Sequence, residues 1–222
     1  MRATGVPGAH GSLAHDMVDS DLSLLDRWCA GDTVAGNLLF KRHFASLYRF
    51  FEHKTEGEVD DLVQETLLQC VKAGSTFRRQ STFRTYLFSI ARHVLFQHWR
   101  ARSRVQPTLD FEDVSMAALS TSIGSRLARN GDRARLLAVL QTLPLDQQLL
   151  LELYYWEELD RDQLAEVFDV EAATIGSRLF RARRSLQDGL ERPDLGRVPA
   201  SGTPDELDAW ARNLAVDRPP EK

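Results

Sequence analysis

The sequence has only two cysteines, Cys29 and Cys70, and they are far apart. That excludes a paired zinc-ligand spacing and a disulfide framework. Both read as small apolar residues on helices in a reducing compartment. No run of residues approaches the roughly 20 apolar positions that a bilayer span needs. Residues 1–18 lack the apolar core of a signal peptide, so neither export nor membrane insertion is expected, and the protein reads as cytoplasmic. A Gly-rich phosphate loop, a nucleophile–base pair and a metal-ligand cluster are all missing. The chain is therefore not expected to be an enzyme acting on nucleic acid, and no cofactor or metal is expected.

The most informative absence is of acid. Net charge is -4, yet the 44 residues between Glu65 and Asp110 contain no aspartate or glutamate. The same stretch carries eight positive charges, from Lys72 to Arg104, while acids cluster before it (Asp60, Asp61, Glu65) and after it (Asp110, Glu112, Asp113). Surface charges are screened beyond roughly 10 Å, so a local basic field attracts phosphate whatever the total charge. A merely solvated helix face usually mixes signs, and this one does not.

Glycine and proline are sparse within the periodic segments, and no long stretch alternates with period two. Helices are expected almost throughout. The predicted architecture is all-α: two small helical domains joined by a flexible linker, the second containing a helix-turn-helix. Residues 1–18 read as disordered, 19–104 as the first domain, 105–131 as the linker, 132–192 as the second domain and 193–222 as a tail. The tail carries one helix signal, Thr203-Pro204-Asp205-Glu206, with proline at the first helical position and glutamate at the third.

Within the first domain, Val59, Leu62, Val63, Leu67, Cys70 and Val71 form one apolar stripe. The opposite side of that helix presents Asp60, Asp61, Gln64, Glu65 and Leu68. Carboxylates, an amide and an exposed leucine suit docking against a basic protein surface. Solvation alone is the blander account of such a face. The next helix, Thr82–Arg102, places Phe83, Leu87, Ile90 and Val94 toward a core. Its other arc carries Arg92, His93, Phe96, Trp99 and Arg100. Guanidinium groups that take phosphates, interleaved with rings that stack unpaired bases for roughly 1–3 kcal/mol each, form the combination that grips a single strand. The competing account is that Phe96 and Trp99 pack on another helix.

In the second domain, Leu143-Pro144 opens a helix running to Tyr155. A short helix Asp160–Val167, a turn at Phe168-Asp169-Val170 and a long helix Glu171–Leu190 follow. Ile175, Leu179, Ala182, Leu186 and Leu190 define the buried line of the long helix, and Thr174, Ser177, Arg178, Arg181 and Arg184 its outward arc. This is the design that docks in a DNA major groove.

These segments resemble the extracytoplasmic-function group of sigma-70 factors. The resemblance rests on DDLVQETLLQC (Asp60–Cys70), STFRTYLFSIARHVLFQHWRAR (Ser81–Arg102), LQTLPLDQQLLLELYYWEEL (Leu140–Leu159) and LAEVFDVEAATIGSRLFRARRSL (Leu164–Leu186), in family order and spacing. It implies a transcription initiation factor with core RNA polymerase, promoter DNA and an anti-sigma protein as partners. Asp60, Asp61, Gln64 and Glu65 would face the β′ clamp, and the second domain would meet the β flap. Phe77 and His93 would help capture a flipped base of the −10 element, with Arg78, Arg79, Gln80 and Ser81 as a specificity loop. Ser177, Arg178, Phe180, Arg181 and Arg183 would read the −35 element, although Phe180 and Arg183 fall toward the flanks of the helical wheel.

Three positions depart from the family pattern. His93 replaces a common asparagine, which alters base preference and introduces a titratable ring. Asp169 replaces a turn glycine, and aspartate tolerates the left-handed conformation. Gly176 replaces a basic residue, at a cost of about 1 kcal/mol in helix stability. The alternative of a stand-alone helix-turn-helix regulator explains the second domain but gives the basic, aromatic helix no role.

Overall fold

Short polar side chains fix where the helices of the first lobe begin. In this computed structural model, which describes residues 20–73, 81–102, 110–119, 131–191 and 204–216, Ser20 caps α1 (Asp21–Cys29) by accepting from the Ser23 amide at 3.2 Å. Asp32 caps α2 (Thr33–Glu52) by accepting from the Val34 and Ala35 amides at 2.9 and 3.1 Å. Each such cap contributes about 1 kcal/mol. Gly36 permits the close approach of these two helices: a Cβ there would lie 2.5 Å from the Trp28 indole. Asp21 also joins them, pairing with His43 Nε2 at 2.6 Å and accepting from Arg42 at 2.9 Å. The His43 hydrogen bond, helped by Arg42, holds the Asp21 carboxyl below its ordinary range against the opposing effect of burial.

Helices α3 (Val59–Lys72) and α4 (Phe83–Arg102) complete the lobe. Leu39, Leu47, Phe51, Val63, Leu87 and Phe88 fill its centre. Cys70 is fully buried there, and burial pushes its thiol up to about 12. Cys29, the last residue of α1, lies on a helix as expected and is exposed.

The second lobe comprises α6 (Asp132–Thr142), α7 (Leu145–Tyr155), α8 (Arg161–Phe168) and α9 (Ala172–Leu190), preceded by the single turn α5 (Met116–Leu119). Asp160 and Gln163 form a reciprocal capping box at the start of α8. Its end is Asp169, at φ 53° and ψ 50°, the left-handed conformation anticipated for this turn. Every member of the predicted buried line of α9 is buried. Helix α10 (Pro204–Val216) lies against α6 and α7 through Leu207 and Ala211, and Trp156 donates to the Ala211 carbonyl at 3.2 Å. No strand occurs among the described residues.

The two lobes pack on each other, with α4 against α8. Lys54, 1% exposed, donates to Glu152 of α7 at 2.5 Å and to the Phe50 carbonyl. Arg49 and Arg84 both reach Glu157. Residues 110–119 of the expected linker are folded into this seam. Leu145 N donates to the Val114 carbonyl and Asp146 N to the Phe111 carbonyl. Met116 is fully buried.

Candidate nucleic-acid interface

The acidic face of α3 stands as expected. Asp60, Asp61 and Gln64 are exposed, Glu65 is half-buried and accepts from Gln69 at 2.9 Å, and Leu68 is 49% exposed. Asp60 and Asp61 sit in the first turn, where the helix dipole favours negative charge. They therefore have a local structural use alongside any docking role.

Helix α4 departs from expectation. Trp99 is 4% exposed, and its indole N–H donates to the Lys54 carbonyl at 3.0 Å, so it is a core residue of the first lobe. Phe96 is 6% exposed and stacks on Phe111 of the connecting segment, with ring centroids 4.1 Å apart. Arg92 lies over the Phe96 and Phe168 rings and forms a forked ion pair with Asp146 at 2.9 and 3.1 Å. The arc predicted to be open is thus buried because α4 is central, covered by its own lobe on one side and by the second lobe and residues 110–119 on the other. His93, whose ring nitrogen Nε2 is 2.8 Å from Gln97 Nε2, and Arg100 remain exposed. Phe77, Arg78 and Arg79 lie outside the described residues.

Helix α9 largely matches expectation. Ser177, Arg181 and Arg184 are exposed, Thr174 is half-buried, and Phe180 is 67% exposed. Arg181 and Arg184 carry no ion pair among the described residues. The other two arginines are engaged. Arg178 pairs with Glu112 at 2.7 Å and approaches Asp146 at 3.9 Å. Arg183, expected to face DNA, instead donates to Asp208 of α10 at 2.7 Å and to the Tyr155 hydroxyl, and lies over the Tyr154 ring. Sequence reasoning missed these carboxylates. The acidic cluster after Pro107 was a signal for Glu112, but nothing local marks Asp146 or Asp208 as a partner.

The helix-turn-helix, the left-handed turn and a basic outward face give α8 and α9 the outline of a unit that docks in a major groove. Against this geometry, the model of sigma-70 region 2 matches residues 39–105 and that of sigma-70 region 4 matches residues 133–186, together more than half of the chain. The chain belongs to the sigma-70 family, of the extracytoplasmic-function type. Similar curated proteins are the ECF RNA polymerase sigma-E factors of Salmonella typhimurium and Escherichia coli, each 26% identical over 183 residues, covering 78% of this chain and 95% of theirs. That of Haemophilus influenzae is also 26% identical, over 182 residues, 78% of this chain and 96% of its own. Two solved structures share the fold. CnrH in complex with the cytosolic domain of CnrY has a TM-score of 0.57 at 22% identity, over 77% of this chain and 96% of that one. Bartonella quintana RpoE in complex with the anti-sigma factor NepR has a TM-score of 0.53 at 22% identity, over 70% and 98%.

This sigma factor binds core RNA polymerase and directs promoter-specific initiation. The stand-alone regulator reading leaves the region 2 match without a role. No helix among the described residues is long and apolar enough to cross a membrane.

Gly176 of this sigma factor has open space where a Cβ would lie, in mid-α9. Gly176→Arg should therefore raise stability by about 0.8 kcal/mol, because the helix gains a better former without a clash. Urea denaturation checks this, and a loss of stability would contradict the open geometry.

Proposed function

We propose that three surfaces divide the initiation work. Asp60, Asp61, Gln64 and Glu65 on α3 dock on the β′ clamp of core polymerase, and the second lobe meets the β flap. Residues 19–104 act on the −10 element: His93 and Arg100 stay at the surface of α4, with Phe77, Arg78 and Arg79 preceding them in sequence and Arg92 and Phe96 joining once uncovered. Residues 132–192 read the −35 duplex through Thr174, Ser177, Phe180, Arg181 and Arg184, with Arg178 added when its carboxylates release it. Residues 105–131 connect the two readers within the polymerase. Binding energy rather than covalent chemistry drives opening: duplex anchoring holds one end while captured bases shift the melting equilibrium, offsetting a few kcal/mol of unstacking. The protein works in the cytoplasm, where polymerase and promoter are. An anti-sigma protein is proposed as its regulator, by likeness to the complex of Bartonella quintana RpoE with NepR.

The observation that carries this reading is the uncovered arc Ser177, Phe180, Arg181 and Arg184 on a helix fixed by a capped turn. Run-off transcription with reconstituted holoenzyme tests it. Arg181→Ala combined with Ser177→Ala should lower output at least about tenfold from a promoter selected by the parent, since each lost base or phosphate contact costs roughly 1–3 kcal/mol. Undiminished output from that promoter would remove α9 as the reader.

A further inference from the structure

We propose that Asp110-Phe111-Glu112 is an internal imitation of a single DNA strand. In the free chain it fills the strand-gripping face of α4 and ties down α9 at the same time. The proposal rests on the reading of α4 as that face.

Phe111 plays the part of a base. It is 3% exposed, and its ring lies nearly parallel to Phe96, tilted by 18° at 4.1 Å between centroids. That is stacking geometry, the arrangement an unpaired base adopts on an aromatic platform. The guanidinium of Arg100 lies 5.3 Å from the Phe111 centroid, and that of Arg92 lies 4.4 Å from the Phe96 centroid. Two cations thus flank two stacked rings, as they would flank base and platform in a complex with a strand.

Carboxylates play the part of phosphates. Asp146 receives Arg92 through both oxygens, and Glu112 receives Arg178 at 2.7 Å. Between α4 and the second lobe lies a cleft of about 900 Å³, with Arg92, His93 and Arg100 among its walls on one side and Asp110, Glu112 and Asp146 on the other. Burial pushes the Asp146 carboxyl above its ordinary range, opposed chiefly by Arg92. Asp146 therefore depends on its arginines, as they depend on it.

Both DNA faces are coupled through one residue. Asp146 touches Arg92 of the melting helix and approaches Arg178 of the reading helix at 3.9 Å. Parting the lobes frees Arg92 from Asp146, and Arg178 is freed when Asp110-Phe111-Glu112 also leaves the second lobe. The buried Lys54–Glu152 pair and the Glu157 pairs also cross the seam. Such pairs roughly break even against solvation, so they set the closed geometry without making opening prohibitive.

The test uses the full chain, without polymerase, and a fluorescein-labelled dT20 strand followed by anisotropy. One variant combines Asp110→Asn, Phe111→Ser and Glu112→Gln. A second, Asp146→Asn, keeps the packing and removes only the shared charge. Holoenzyme made with the parent chain, compared with core polymerase alone, reports whether the α4 face holds a strand at all. The first variant should bind dT20 at least tenfold more tightly than the parent, and the second at least threefold. If holoenzyme retains the strand better than core while neither variant exceeds the parent, the imitation is overturned and the reading of α4 stands. If holoenzyme shows no gain over core and the variants bind like the parent, the reading of α4 fails and takes the proposal with it.

Discussion

Exchanging Asp61 and Glu65 together for lysine should reduce the affinity of the chain for core RNA polymerase by at least about a hundredfold while leaving the fold intact. Both residues lie on the side of α3 away from Leu62, Val63 and Leu67; Asp61 is exposed and Glu65 half-buried. Neither is part of the hydrophobic core, so the cost in stability is confined to the first-turn charge of Asp61 and the Glu65–Gln69 hydrogen bond, about 1–2 kcal/mol together. Reversing two charges that meet a basic partner converts attraction into repulsion. Like-charge juxtaposition at an interface costs several kcal/mol, and about 3 kcal/mol already corresponds to roughly a hundredfold in dissociation constant. Asp60 is left in place to preserve its interaction with the helix N-terminus. Titration of labelled chain with core polymerase, alongside circular dichroism, gives the answer. An affinity within threefold of the parent would show that α3 is only solvated.

A second large effect is expected at Trp99. Trp99→Ala should destabilise the protein by about 3–5 kcal/mol, the range for truncating a buried aromatic side chain. The loss includes the hydrogen bond to the Lys54 carbonyl, which holds the turn between α2 and α3 from which Lys54 reaches Glu152. Trp99→Phe keeps most of the volume and removes the donor, so it should cost about 1–2 kcal/mol. Urea denaturation of the full chain measures both. A change below 1 kcal/mol for the alanine variant would mean that the indole is not the packing element its burial indicates. With the expected loss of about 3–5 kcal/mol, a promoter-opening defect of Trp99→Ala reports unfolding rather than a lost base contact, which separates this position from Arg100.

The second lobe was the more legible half of the sequence. Helix α9 is covered on one side only, so a 3.6-residue period separates buried from exposed positions, and Ile175 to Leu190 fell where the pattern put them. The turn was legible too, because aspartate at position 169 is chemically suited to the left-handed backbone it adopts. Helix α4 was misread because it is covered on two sides. Periodicity shows which residues are apolar, but a chain does not disclose locally that a second lobe closes over Phe96 and Arg92. Trp99 failed for a related reason: Arg100 beside it suggested a surface, while Trp99, about 100° round the helix from it, points into the core. Ion pairs between residues far apart in sequence, such as Lys54 with Glu152 or Arg183 with Asp208, follow from tertiary packing and leave no local pattern.

The tail helix has a practical bearing on the second lobe. Helix α10 meets the aromatic row Tyr154, Tyr155 and Trp156 through Arg212 over the first ring, Asp208 at the second and the Ala211 carbonyl at the third, and Asp208 neutralises Arg183. A chain ended just after α9 would leave those rings as a bare ledge with an uncompensated guanidinium in its midst. Ledges of that kind promote self-association. The smallest well-behaved version of this lobe therefore extends to Val216, well beyond the last residue that the sigma-70 region 4 match covers.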